Sequence, residues 1–176
     1  LKAMRRSGDG EKYGELFRKI REKNPDAVIR TTLMLGFPGE DRAAFKKLLD
    51  FVKTSQPDWM GSFTYSREED TPAYSMRNQK DHDKAQRTAK KWQKELEEAQ
   101  SPITEKRLEK FVGNTYRALI EEKIEGEDLA IGRIYSQAPD VDGLTVIMGR
   151  DLKPGDTVMV GIRAVRGVDL EGVKID

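Results

Sequence analysis

Apolar positions in the first half of the chain recur first with helical and then with strand periodicity. Tyr13, Leu16, Phe17 and Ile20 fall at i, i+3, i+4 and i+7, one stripe of an amphipathic helix. Asn24-Pro25 ends it, because the residue before proline disfavours the helical region. Residues 27–35 (AVIRTTLML) are β-branched and apolar without alternation, which predicts a parallel strand covered on both faces. Gly36-Phe37-Pro38-Gly39 breaks the run, and Phe45, Leu48, Leu49 and Val52 then mark a second helix, closed by Gln56-Pro57. Residues 59–65 predict a second short strand. Helix–strand–helix–strand with short links reads as α/β with parallel strands. Two strands make only part of a (β/α)₈ barrel, which takes roughly 200–250 residues.

Residues 66–80 read as a polar surface loop. From 81 to 110, Ala85, Ala89, Trp92, Leu96, Ala99 and Ile103 trace one packing seam on a long helix, or on two if Ser101-Pro102 interrupts it. After Gly113 the period changes to two. Strands are predicted at 114–124, 129–136, 143–149, 156–165 and 168–175, with Gly, Pro and Asp between them. That spacing reads as a small antiparallel β-barrel of OB-like type. The expected organisation is an α/β segment over 1–80, a connecting helical segment over 81–110 and a barrel over 111–176.

Composition narrows the chemistry. Of 176 residues, 36% are charged, the same share as hydrophobic ones, and mean hydropathy is −0.73. The chain reads as soluble, without a signal-peptide pattern and without the roughly 18–20 apolar residues that cross a bilayer. It has no cysteine, which excludes disulfides, thiolate zinc sites and Cys-ligated iron–sulfur clusters within these residues. The first residue is Leu1, so a piece of a longer chain is expected. The net charge of +1 conceals an asymmetry. Residues 1–110 hold 24 Lys+Arg against 19 Asp+Glu, a balance of +5, and residues 111–176 hold 8 against 12, a balance of −4. An acidic barrel is a poor phosphate binder and suits a basic protein surface, although ordinary solvation accounts for the count equally well.

The motif with most chemical content is Leu35-Gly36-Phe37-Pro38-Gly39-Glu40, at the C-terminal end of a strand and opening a helix. Ligands in parallel α/β folds bind at that end, and glycine lets backbone approach a ligand. It is neither a P-loop nor G-x-G-x-x-G, and a tight strand-to-helix turn requires glycine in any case. Phe63-Thr64-Tyr65-Ser66 ends the next strand on the same rim, so both ends can line one pocket. The only histidine, His82, lies at a polar helix start, where a solvated or capping role is expected rather than a catalytic one. Arg5-Arg6 and Lys90-Lys91 read as solvated faces. Asp140 and Asp142, in Gln137-Ala138-Pro139-Asp140-Val141-Asp142-Gly143, form either a binding loop of the barrel or an Asp-rich turn. No catalytic triad and no metal-ligand cluster is readable.

Four stretches together resemble the radical-SAM methylthiotransferases: residues 1–6 (LKAMRR), residues 30–40 (RTTLMLGFPGE), Phe63-Thr64-Tyr65-Ser66 with Thr71-Pro72-Ala73, and a terminal barrel similar to a TRAM domain. Gly132-Arg133, the 138–143 loop and the Val168-Asp169-Leu170-Glu171-Gly172 ending resemble the RimO-type branch, which methylthiolates an aspartate of small-subunit ribosomal protein number twelve. The sister MiaB type modifies a tRNA adenosine and would want a basic barrel, so tRNA is the less favoured partner. A non-catalytic OB-like binding module is the remaining alternative.

The resemblance implies a cytoplasmic enzyme using S-adenosylmethionine and two 4Fe-4S clusters. It implies that 1–80 are the last βα units of a radical-SAM barrel, and that Gly36, Phe37, Pro38, Phe63 and Tyr65 lie near the adenosine of S-adenosylmethionine. Asp140 and Asp142 are the expected substrate-binding residues. The family's C-x₃-C-x₂-C run has no counterpart here, so a C-terminal fragment, inactive alone, is expected.

Overall fold

The computed structural model describes residues 1, 4 and 6–175. Lys2, Ala3 and Arg5 of the opening LKAMRR stretch lie outside the described residues, as does Asp176. The chain divides into two compact units, 1–103 and 104–176.

The first unit begins with α1 (Gly10–Lys23), capped by Asp9, whose side chain accepts from the Lys12 N–H. It continues through β1 (Arg30–Leu35), α2 (Arg42–Ser55) and β2 (Trp59–Thr64) into α3 (Gln79–Leu108). The strands pair in parallel, with Arg30 opposite Trp59 and Leu35 opposite Thr64. Leu33 and Leu35 from β1 and Met60 from β2 pack on Phe45, Leu48, Leu49 and Val52 of α2 and on Ala89, Trp92, Leu96 and Ile103 of α3. Phe45 stacks on Trp92 at 5.0 Å, with ring planes 10° apart.

The helices cover one face of the strand pair. Thr32, Met34, Gly61 and Phe63 lie on the other, where Thr32 and Phe63 are exposed. The expectation of a strand buried on both faces is therefore met on one face only within this unit, because two strands and their helices supply no second layer. The α1 stripe also differs: Phe17 is buried, meeting Phe51 at 5.9 Å, while Tyr13, Leu16 and Ile20 are exposed. What ties α1 down is polar. Arg21 donates to the carbonyls of Ser55 (2.7 Å) and Gln56 (2.6 Å) and pairs with the buried Asp58 carboxylate, which also accepts from the Ile29 N–H at 2.9 Å.

Pro102 does not divide the long helix; it lies inside α3. Proline removes one backbone bond, but Gln100, buried and donating to the Pro57 carbonyl at 2.9 Å, and Ile103, packed on the apolar core, hold the residues flanking it.

The second unit is a closed five-stranded barrel of β3 (Thr115–Lys123), β4 (Leu129–Ile134), β5 (Thr145–Met148), β6 (Thr157–Arg166) and β7 (Asp169–Ile175), in the order β3-β4-β5-β7-β6. The sheet is mixed rather than antiparallel, since β5 and β7 run parallel. A closed ring with an odd number of strands cannot alternate direction all the way round, so closure at five forces a parallel neighbour. Ile120, Ile134, Ile147, Val160, Ile162 and Leu170 fill the interior. Gly132 lets β3 and β4 close up, because a Cβ there would run into the Leu119 carbonyl oxygen.

Candidate functional site

Parallel pairing brings the ends of β1 and β2 to one edge of the first unit, and the Tyr65 N–H donates to the Leu35 carbonyl at 2.7 Å. From this rim Phe37 meets the Tyr65 ring edge-on at 5.2 Å. Tyr65 in turn meets His82, on the first turn of α3, at 5.9 Å. His82 is only 8% exposed; it is an aromatic core residue, contrary to the solvated role expected of a histidine in a charged stretch. The helix start is instead capped by Asn78, whose side-chain oxygen accepts from the Asp81 N–H at 2.9 Å. The amphipathic seam of α3 turns position 82 inward whatever its charged neighbours. Tyr65 Oη and His82 Nδ1 are buried without a hydrogen-bond partner among the described residues.

Of the expected rim residues, the structure brings Gly36, Phe37, Pro38 and Tyr65 to one place. Phe63 stands apart, 49% exposed on the uncovered sheet face opposite Met34. Gly36 has a packing reason for being glycine: its φ is +83°, and a Cβ would lie 2.8 Å from the Ala89 Cβ of α3.

Two charged residues hold this turn, one inside the glycine-rich motif and one far outside it. Arg77 donates from Nη1 to the Gly36 carbonyl at 2.9 Å and from Nη2 to the Phe37 carbonyl at 3.4 Å. The Glu40 carboxylate accepts from the Gly36 N–H. Burial raises the Glu40 pKa above the ordinary Glu range; the N–H donors of Gly36 and Phe37 and the Arg77 charge oppose that rise, while Asp41 adds to it. Glu40, Arg77, Asp81, Lys84, Thr88 and Trp92 flank a cleft of about 250 Å³ beside the turn. Glu40 was visible as the last letter of the glycine-rich motif. Arg77 carried no local signal, being one arginine in a polar loop.

On the barrel, the Asp142 carboxylate accepts from the Ala138 N–H at 2.9 Å and closes its own loop. Asp140 is exposed with φ +59°. The exposed carboxylates of Glu122, Glu125, Glu127 and Asp128 gather on the β3–β4 hairpin, with Asp151 and Asp156 in the adjoining β5–β6 loop; Lys123, Lys153 and Arg150, which pairs with Asp128 at 3.3 Å, offset part of that charge. The two segments are joined where the Gly149 N–H donates to the Asp128 carbonyl at 2.9 Å. The 135–144 loop leaves the opposite end of β4. The hairpin end of the barrel is therefore net acidic, six carboxylates against three cations, and the glutamates within 121–127 were its signal in the sequence.

Among the described residues no group of three or more His, Cys, Asp or Glu side chains is placed to hold a metal. No helix among them is long and apolar enough to cross a membrane.

Comparison with known proteins places both units. The TRAM domain family matches residues 112–175. A Treponema denticola protein named ribosomal protein uS12 methylthiotransferase RimO is 40% identical over 99% of this chain and 41% of its own length. Proteins of the same name from Thermotoga maritima and Desulfosudis oleivorans are 39% and 40% identical over 98% of this chain and 38% of their own lengths. The chain thus spans about two-fifths of the length of the curated relatives it matches, and its likeness to these proteins named RimO runs through both its units.

Proposed function

We propose that the chain is part of a radical-SAM methylthiotransferase that adds a methylthio group to the β-carbon of an aspartate in ribosomal protein uS12. The observation that carries this reading is 37–40% identity across nearly the whole chain to relatives named for that activity. On this reading residues 1–80 are the last βα units of a radical-SAM barrel, 81–110 connect, and 111–176 are the TRAM barrel. The uncovered face of β1 and β2 then belongs to a barrel interior.

The two cofactors fare differently against these residues. S-adenosylmethionine fits the rim: Phe37, backed by the buried Tyr65 ring, offers aromatic surface for an adenine, Gly36 and Pro38 carry backbone beside it, and the buried, unpartnered Tyr65 hydroxyl is a hydrogen-bonding group behind it. Phe63 extends the apolar surface of the same sheet. When bound, S-adenosylmethionine supplies the radical that activates the target carbon and the methyl group. A 4Fe-4S cluster does not fit, since the chain has no thiolate to ligate one. The 176 residues alone are therefore expected to be inactive.

The acidic end of the barrel supports a basic protein substrate, since complementary potential steers such an encounter. Asp140, on the opposite end, is a second contact on this reading, whereas Asp142 acts through the shape of its loop. The test is methylthiolation of uS12, followed by mass, with the longer protein that contains this chain and with a Glu125→Lys/Glu127→Lys variant. The expected outcome is a mass gain on uS12 and a KM raised roughly tenfold in the variant, with salt weakening the wild type towards it. Modification of an anticodon stem-loop with no effect on uS12 would replace this reading with the tRNA-modifying one. Turnover by the isolated 176 residues would overturn the expected inactivity.

A further inference from the structure

We infer that Arg77 is a positioning residue: it latches the loop 66–78 onto the Gly36–Phe37 turn and so fixes the ring of Phe37 against Tyr65. The inference rests on the reading that this rim contacts S-adenosylmethionine, and adds to it the device that holds the rim in shape.

The geometry has three parts. First, the guanidinium of Arg77 spans two successive carbonyls of the turn, at 2.9 Å to Gly36 and 3.4 Å to Phe37, while Glu40 takes the Gly36 N–H. The turn is thus gripped on both its donor and acceptor sides by side chains of opposite charge. Second, Arg77 is itself held. Arg67 Nε donates to the Tyr74 carbonyl at 3.0 Å and to the Arg77 carbonyl at 2.8 Å, and its guanidinium lies 3.5 Å from the Tyr74 ring centroid. Arg67 Nη1 reaches Gln79 Oε1 at the start of α3, at 3.2 Å. Third, apolar packing does little for this loop. Between Ser66 and Asn78 no residue is buried, and the regular structure is one 3₁₀ turn, Tyr74–Met76. A segment without a core opens locally at low cost, so its hold on the turn lies in these charge-assisted bonds, which are about twice as strong as neutral ones. Lysine cannot reproduce the grip, because a single ammonium lacks the planar fork that meets two carbonyls at once.

The experiment uses the longer protein that carries this chain, as wild type, Arg77→Gln, Arg77→Lys and Phe37→Ala, with S-adenosylmethionine affinity by calorimetry and exchange of the Gly36 and Phe37 amides without ligand. Arg77→Gln is expected to speed exchange there and to weaken binding roughly tenfold, a change of about 1.4 kcal/mol. Arg77→Lys, which keeps the charge beside Glu40 and guards against a variant that fails to fold, is expected to lose most of the same affinity. Adding Arg77→Gln to Phe37→Ala should weaken binding no further, since both act through one ring. Unchanged exchange and affinity in both Arg77 variants, alongside a weakened Phe37→Ala, would sink the latch and leave the rim reading standing. If Phe37→Ala also binds as wild type, it is the rim reading that fails. Faster exchange at the Gly36 and Phe37 amides without loss of affinity would make Arg77 a structural residue and overturn its positioning role.

Discussion

Gly36→Ala separates packing from ligand approach as the reason for glycine at the end of β1. A side chain there meets two costs. The φ of +83° lies in the left-handed region, where a Cβ costs about 1–2 kcal/mol. The added carbon would also sit 2.8 Å from the Ala89 Cβ, against an ordinary carbon contact of about 3.5–4.0 Å. The overlap has to be absorbed between a strand end and a helix backbone, and overpacking of this kind costs about 1–3 kcal/mol. The expected loss is therefore about 2–5 kcal/mol, read as a shift in urea midpoint at constant slope.

Ala89→Gly opens space for the new carbon without touching φ, so it should return only the overpacking part. By itself it costs about 1 kcal/mol of helix propensity. The double-mutant cycle should therefore show a favourable coupling of about 1–3 kcal/mol. A Gly36→Ala loss below about 0.5 kcal/mol, or a strictly additive cycle, would refute the packing argument and return the glycine to the ligand.

Three further outcomes are expected. Glu40 has a raised folded-state pKa, so its neutral form favours the fold: that contribution is present at and below the ordinary value of 4.5 and is lost as pH rises through the raised value. Glu40→Gln, which keeps an acceptor for Gly36, should then be at least as stable as wild type at pH 7, with its advantage shrinking on acidification; thermal unfolding across pH 4–7 showing the reverse trend would contradict the burial argument. Asp58→Ala leaves Arg21 without its carboxylate and the Ile29 N–H without its acceptor, and should cost about 3–5 kcal/mol by denaturant titration. On the barrel, Asp142→Ala should cost about 1 kcal/mol by removing the bond to the Ala138 N–H, while Asp140→Asn, at a left-handed φ that asparagine tolerates, should leave the melting temperature unchanged. Equal losses from both would mean that the loop is not closed by Asp142.

The positions of the elements were legible because short-range physics sets them. The 3.6-residue spacing of Phe45, Leu48, Leu49 and Val52 marks α2, Asn24-Pro25 stops α1, and the period of two after Gly113 marks the barrel strands. Charge counted on either side of residue 111 located the acidic unit as well. The sequence also placed Phe37 and Tyr65 on one rim, since parallel strands deliver their C-terminal ends to the same edge. Where local signals compete with packing, they misled. His82 lies among charges, yet the helix turns it inward; Pro102 is a helix breaker, yet α3 continues through it.

Tertiary structure alone decided the rest. The parallel β5–β7 pair follows from closing a ring of five strands, a property of the circle and of no strand within it. Gly36 owes its missing side chain to Ala89, 53 residues further along. Arg77 became a candidate only when the loop after β2 folded back on the turn after β1, because a guanidinium's partners are two carbonyls that no spacing in its own segment announces. Periodicity is written residue by residue and can be read from the chain; a contact between distant segments exists only once packing has chosen which of them meet.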